Sequence, residues 1–135
     1  MQAKQRRADR GQSVTVFMAM VMPALLATTG LVIDGGRQIA TTRHLHIVAY
    51  EAARYGADAA SRGRLKKDKS ISHVRATKAA QRHLESIGVS GTTRVVGDEV
   101  YVETRAQFPT VFLEAIGIHT LTATGSASAH IGPGR

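Results

Sequence analysis

The stretch VTVFMAMVMPALLATTGLVI, residues 14–33, decides how this chain is read. No charged residue occurs between Gly11 and Ile33. Val14 to Ile33 is about twenty residues, the length that crosses a hydrocarbon core of about 30 Å as a helix. Lipid cannot bond exposed backbone groups, so a segment crossing alone must be helical. Pro23 lies mid-run, and proline is commoner in membrane helices than in soluble ones. Ser13, Thr15, Thr28 and Thr29 keep the segment only moderately hydrophobic. Two other readings compete. A cleaved secretory signal would share the basic flank, but the run is long for one and no A-x-A site follows it. A buried helix of a soluble fold rarely stays free of charge for this length.

The flanks set an orientation. Lys4, Arg6, Arg7 and Arg10 precede the run with Asp9, whereas Asp34, Arg37 and Arg43 follow it. The basic excess before the run favours an inside N-terminus, a single pass and an extracytoplasmic remainder. The expected divisions are a basic cytoplasmic N-terminus at 1–12, a transmembrane helix at 13–34, a continuation of that helix at 35–62 and an outer domain at 63–135.

Beyond the run, Asp34 to Ser61 lacks proline and reads as helix. Gly35-Gly36 is its weak point, since each glycine costs about 1 kcal/mol in a helix, and a bend or hinge is expected there. Leu45, Val48, Ala49, Ala52, Ala53, Gly56, Ala59 and Ala60 recur at three- and four-residue spacing, one face of a helix. The face is built mainly of small residues, which let another backbone approach closely. Ala49, Ala53, Gly56 and Ala60 are therefore candidates for a contact with another subunit's helix. Packing on the chain's own domain is the alternative. Ser61 to Ser70 is a charged linker. A second helix follows, capped by Ser70 or Ser72, with Ala76, Ala80, Leu84 and Ile87 inward and Gly88 as its stop.

The remainder alternates with period two. Thr92–Val96 reads as a strand, Gly97-Asp98 as a two-residue hairpin turn, and Val100, Val102, Thr104 and Ala106 as the inner side of a second strand. Pro109 ends it. Thr110–Ile116 reads as a short helical turn closed by Gly117. Leu121, Ala123, Gly125, Ala127, Ala129 and Ile131 form one side of a last strand, with Gly125 expected against close-packed backbone. The fold class is α+β: a long N-terminal helix, a short helix and a three-stranded antiparallel sheet.

The 135 residues carry a net charge of +8, 4% aromatics, no Trp and no Cys. Cysteine chemistry, in a disulfide, a thiol nucleophile or a metal site, is excluded. Part of the basic excess sits in the linker at Arg62, Arg64, Lys66, Lys67 and Lys69, which would suit DNA or an anionic wall polymer, or simply a solvated loop. No aromatic stripe accompanies it for base stacking. His44 and His46 are two apart and leave a helix on different faces, a poor ligand pair. No serine stands in a nucleophile elbow, and Gly35-Gly36 lacks the spacing of a phosphate loop. The expectation is no enzyme, no cofactor, no metal and no small-molecule substrate.

The ordered set of segments resembles the TadE/TadG-like proteins of tight-adherence (Flp) pilus systems. It comprises R-G-x-S-V-x-V-F from Arg10, P-A-L-L from Pro23, L-V-I-D-G-G-R from Leu31, E-A-A-R-x-G-A-x-x-A from Glu51, and F-P-T-V-F-L-E-A-I-G-I from Phe108 before the Ala-rich strand. The resemblance implies a pilin-like fold and a minor pilin or pseudopilin, assembled with other pilin-like subunits by a membrane platform and possessing a place in the cytoplasmic membrane or the extracellular pilus. It also implies a candidate prepilin cleavage between Gly11 and Gln12. Type IV-like prepilins usually carry Glu at the fifth mature position, and here that residue is Val16, which predicts inefficient cleavage. Two functions of different kinds follow: a structural pilus component, and a membrane-tethered module recruiting a polyanion through the basic linker.

Overall fold

The computed structural model describes residues 2–63 and 69–132, with side chains described over 14–62 and 70–132. Helix α1 runs Gln2–Gly63, α2 Lys69–Ser86, and strands β1 Ser90–Val96, β2 Glu99–Pro109 and β3 Thr120–His130 follow, with a 3-10 turn at Leu113–Ile116 between β2 and β3. The α+β class, the long first helix, the second helix and the three-stranded antiparallel sheet are those read from the sequence, with strand order β1-β2-β3. Gly35 and Gly36 do not interrupt α1, and neither adopts positive φ. Helical hydrogen bonding continues through both: a propensity loss of about 1 kcal/mol per glycine is less than breaking the helix would forfeit in hydrogen bonds. α2 begins at Lys69, earlier than either serine offered as its cap, and Ser72 is buried within it.

The chain forms two compact units. One contains the helix up to Gly36 together with Thr110–His119; the other contains Arg37–Pro109 and Thr120 onward. In the second unit the sheet lies against α1 and α2. Val48, Ala49, Ala52, Ala53, Ala57 and Ala60 of α1 meet Ala76, Ala80 and Leu84 of α2 and Val100, Val102 and Ile131 from the sheet side, all buried. Small residues set how closely the layers approach. A Cβ on Gly125 would fall 2.5 Å from the His46 amide nitrogen and closer still to the Leu45 carbonyl carbon, so β3 rests on helix backbone, as its place among Ala123 and Ala127 predicts. The Thr104 hydroxyl donates to the Leu45 carbonyl at 3.0 Å across the same seam. Tyr55 stacks on His83 with centroids 4.3 Å apart, joining the outer sides of α1 and α2.

The turns close as their glycines require. Gly97 (φ 61°) and Asp98 join β1 to β2 in a hairpin that pairs Val96 with Glu99. After α2, Gly88 (φ 69°) donates to the Glu85 carbonyl and Val89 to Leu84, a Schellman motif. That end leaves Ile87 outside the helix and exposed, so the inner face of α2 is Ser72, Ala76, Ala80 and Leu84.

Candidate functional site

The feature of the first unit that needs a partner is the apolar part of α1. From Val14 to Ile33 every residue is exposed except half-buried Val21 and buried Gly30. Phe17, Met20, Met22, Leu26 and Val32 are 62–74% accessible. The helix is long and apolar enough to cross a membrane. Its polar side chains are already satisfied: the Thr28 hydroxyl donates to the Ala24 carbonyl at 2.6 Å and Thr29 to Leu25 at 2.8 Å. Such back-bonding lets a threonine sit in an apolar medium without an unpaired donor.

The run ends on a built feature. Asp34 is 1% exposed although it is the first charge after the run. Its carboxylate accepts three backbone N–H groups from the β2–β3 connection: Val111 at 3.1 Å, Phe112 at 2.9 Å and Leu113 at 2.9 Å. Successive amides converging on one carboxylate cap the 3-10 turn, and hydrogen bonds to the charged form offset the desolvation of a buried carboxylate. One helical turn earlier on the same face, Gly30 makes room: a Cβ there would overlap the Phe112 Cβ and lie 3.0 Å from Cγ. The loop is closed at its base by Thr110, whose N–H donates to the His119 carbonyl at 3.0 Å and whose hydroxyl donates to the Ile118 carbonyl. Gly117 (φ 88°) ends the turn, with its N–H on the Glu114 carbonyl and that of Ile118 on Leu113.

Residues 11–60 match the Flp pilus-assembly TadE/G-like family model. The resemblance read from the sequence therefore holds over this segment. No curated protein and no solved structure matches the chain. The TadE/G-like segment takes in the apolar run, Gly30, Asp34 and the small-residue stripe, and ends ahead of α2 and the sheet. Sequence reasoning counted Asp34 only as a flanking charge. The signal available was an acid directly ending an apolar run, with a glycine four residues before it.

The structure separates the other site candidates. Ala49, Ala53, Gly56 and Ala60 of the TadE/G-like segment are buried within the chain's own second unit. A Cβ on Gly56 would lie 2.9 Å from the Ala76 carbonyl oxygen and 3.2 Å from both Ala80 Cβ and Val100 Cγ1. Of the two packings open to this stripe, the one present in the single chain is intramolecular. Gly11 and Gln12 lie in α1, and their side chains are outside the described residues. Arg62 is exposed at the end of α1. Arg64, Lys66 and Lys67 lie outside the described residues, and Lys69 opens α2 with its side chain likewise outside them.

Elsewhere the polar chemistry is spent locally. Glu99 accepts hydrogen bonds from Tyr101 Oη at 2.5 Å and Ser128 Oγ at 2.9 Å. These hold the Glu99 carboxyl below the ordinary glutamate range, and the Tyr101 phenol is raised in turn by Glu99. Arg94 lies over the Tyr101 ring, 5.1 Å from its centroid. An open cleft of about 670 Å3 on the sheet is lined by His46, Gly91, Glu103, Arg105, Thr124 and Ser126 among others, and the His46 Nδ1 in it accepts the Ser126 N–H at 3.1 Å. Among the described residues no group of His, Asp and Glu could hold a metal ion.

Proposed function

We propose that this chain is a minor pilin- or pseudopilin-like subunit of a tight-adherence (Flp-type) pilus or secretion assembly, not an enzyme. It is anchored in the cytoplasmic membrane by residues 14–33, with its N-terminus inside and the domain beyond Gly36 outside. The observation that carries the reading is an apolar run exposed on nearly all sides, inside the segment that matches the pilus-assembly family. Burying a large apolar side chain is worth about 1.5–3 kcal/mol. Summed over Val14, Phe17, Met20, Met22, Leu25, Leu26 and Leu31 alone, leaving the run in water would forfeit as much as a whole domain's stability of about 5–15 kcal/mol. Lipid meets that demand first, and the helices of other pilin-like subunits meet it after extraction by the assembly platform. Because the Ala49–Ala60 stripe is already core, the inter-subunit contact falls on the apolar run.

Reporter fusions placed after Gly36 test the topology. Exported reporters should be active there and cytoplasmic reporters silent. Recovery of the full-length protein in the soluble cytoplasmic fraction would overturn the reading.

A further inference from the structure

We propose that the β2–β3 loop, Val111 to Ile118, is a second membrane contact that rests in the outer interfacial layer of the bilayer beside the emerging helix. The proposal rests on reading residues 14–33 as a membrane span.

Position comes first. The loop is fixed to α1 at Gly30 and Asp34, the last turn of the apolar run and the first charge after it. A loop bonded there lies at the level where the helix leaves the hydrocarbon. Its surface is the second observation. Val111 is 55% exposed, Phe112 40%, Ile116 70% and Ile118 41%, four exposed apolar side chains on one short loop in the same compact unit as the exposed apolar run. Exposed apolar side chains gathered in this way mark an interaction surface, and their attachment at the end of the span identifies its occupant as lipid. The third observation is backbone satisfaction. The N–H groups of Thr110, Val111, Phe112, Leu113, Ala115, Gly117 and Ile118 all have acceptors within this unit, so these donors lose no hydrogen bond when the loop moves from water toward lipid. The polar groups of the loop fit the same placement. The Glu114 carboxylate and the His119 imidazole stand 3.7 Å apart and largely exposed, on a loop shallow enough for both to stay among headgroups.

The chain contains no Trp, so one introduced indole reports alone. Full-length Ile116→Trp and, as a reference, Met20→Trp would each be reconstituted in phosphatidylcholine vesicles carrying bromine either near the headgroup or deep in the acyl chain. The expected result is blue-shifted Ile116→Trp emission, quenched more by shallow than by deep bromine, with Met20→Trp quenched more by deep bromine. Unquenched emission from Ile116→Trp beside quenched Met20→Trp overturns the loop proposal and leaves the span standing. Blue-shifted but unquenched Ile116→Trp emission means that protein covers the loop, and also overturns it. Failure of both probes to be quenched removes the span itself.

Discussion

Asp34 concentrates three backbone bonds on one side chain, so it can be tested alone. In Asp34→Ala the amides of Val111, Phe112 and Leu113 lose their acceptor, and a buried donor left unsatisfied costs about 1–3 kcal/mol. Hydrogen exchange at those amides should accelerate about tenfold or more, while amides of β2 and β3 keep their protection. Unchanged exchange at all three would show that the carboxylate does not hold the loop. Gly125 is the opposite case, a residue whose importance is what it lacks. In Gly125→Val the new side chain meets Leu45 and His46 backbone, which cannot rotate aside. Overpacking of about 1–3 kcal/mol or more is expected, read as a fall of roughly 4–8 °C in Tm per kcal/mol in the detergent-solubilised chain. An unchanged Tm would mean that the seam opens freely.

Small-residue spacing along α1 made the stripe from Leu45 to Ala60 legible as a packing face, and alternation did the same for Val100, Val102 and Thr104 on β2. What spacing cannot give is the partner. An alanine-rich face suits any smooth backbone, and the choice of α2 and the sheet depends on contacts far apart in sequence, such as Gly56 with Ala76 and Val100. The Asp34 latch was hidden for the same reason, since its donors lie 77–79 residues away. Turn residues carry their own instruction, so Gly88, Gly97 and Gly117 were placed correctly from the sequence and all three adopt positive φ. The stripe's packing within the chain bears on what Gly56→Leu should do. Helix propensity improves by nearly 1 kcal/mol, but the Cβ alone would crowd Ala76, Ala80 and Val100. The amount of folded protein should fall before any partner is lost. Normal folded levels with lost co-purification of pilus subunits would restore the stripe to an intermolecular role.

Across the whole chain, the proposed membrane span and the candidate cleavage point lie in the same N-terminal segment. Cleavage after Gly11 would place a new ammonium group at Gln12, close to the apolar run, and Val16 offers no carboxylate to pair with it. Mass spectrometry of the membrane-extracted protein should find the uncut chain dominant, and a dominant N-terminus at Gln12 would refute this. The two compact units share the chain unequally, because the connection between two strands of one unit belongs to the other. That has a practical bearing on any soluble fragment. Trimming away the helix up to Gly36 also removes the acceptor for three amides and the seat of Phe112, and leaves an oily loop without its support. Clumping of such a fragment would then report the surgery rather than the native protein. Pro109 and Thr120 already face each other across the ladder, so excising residues 110–119 and bridging the gap with Asn-Gly, the tight-hairpin pair, gives the fragment a clean end.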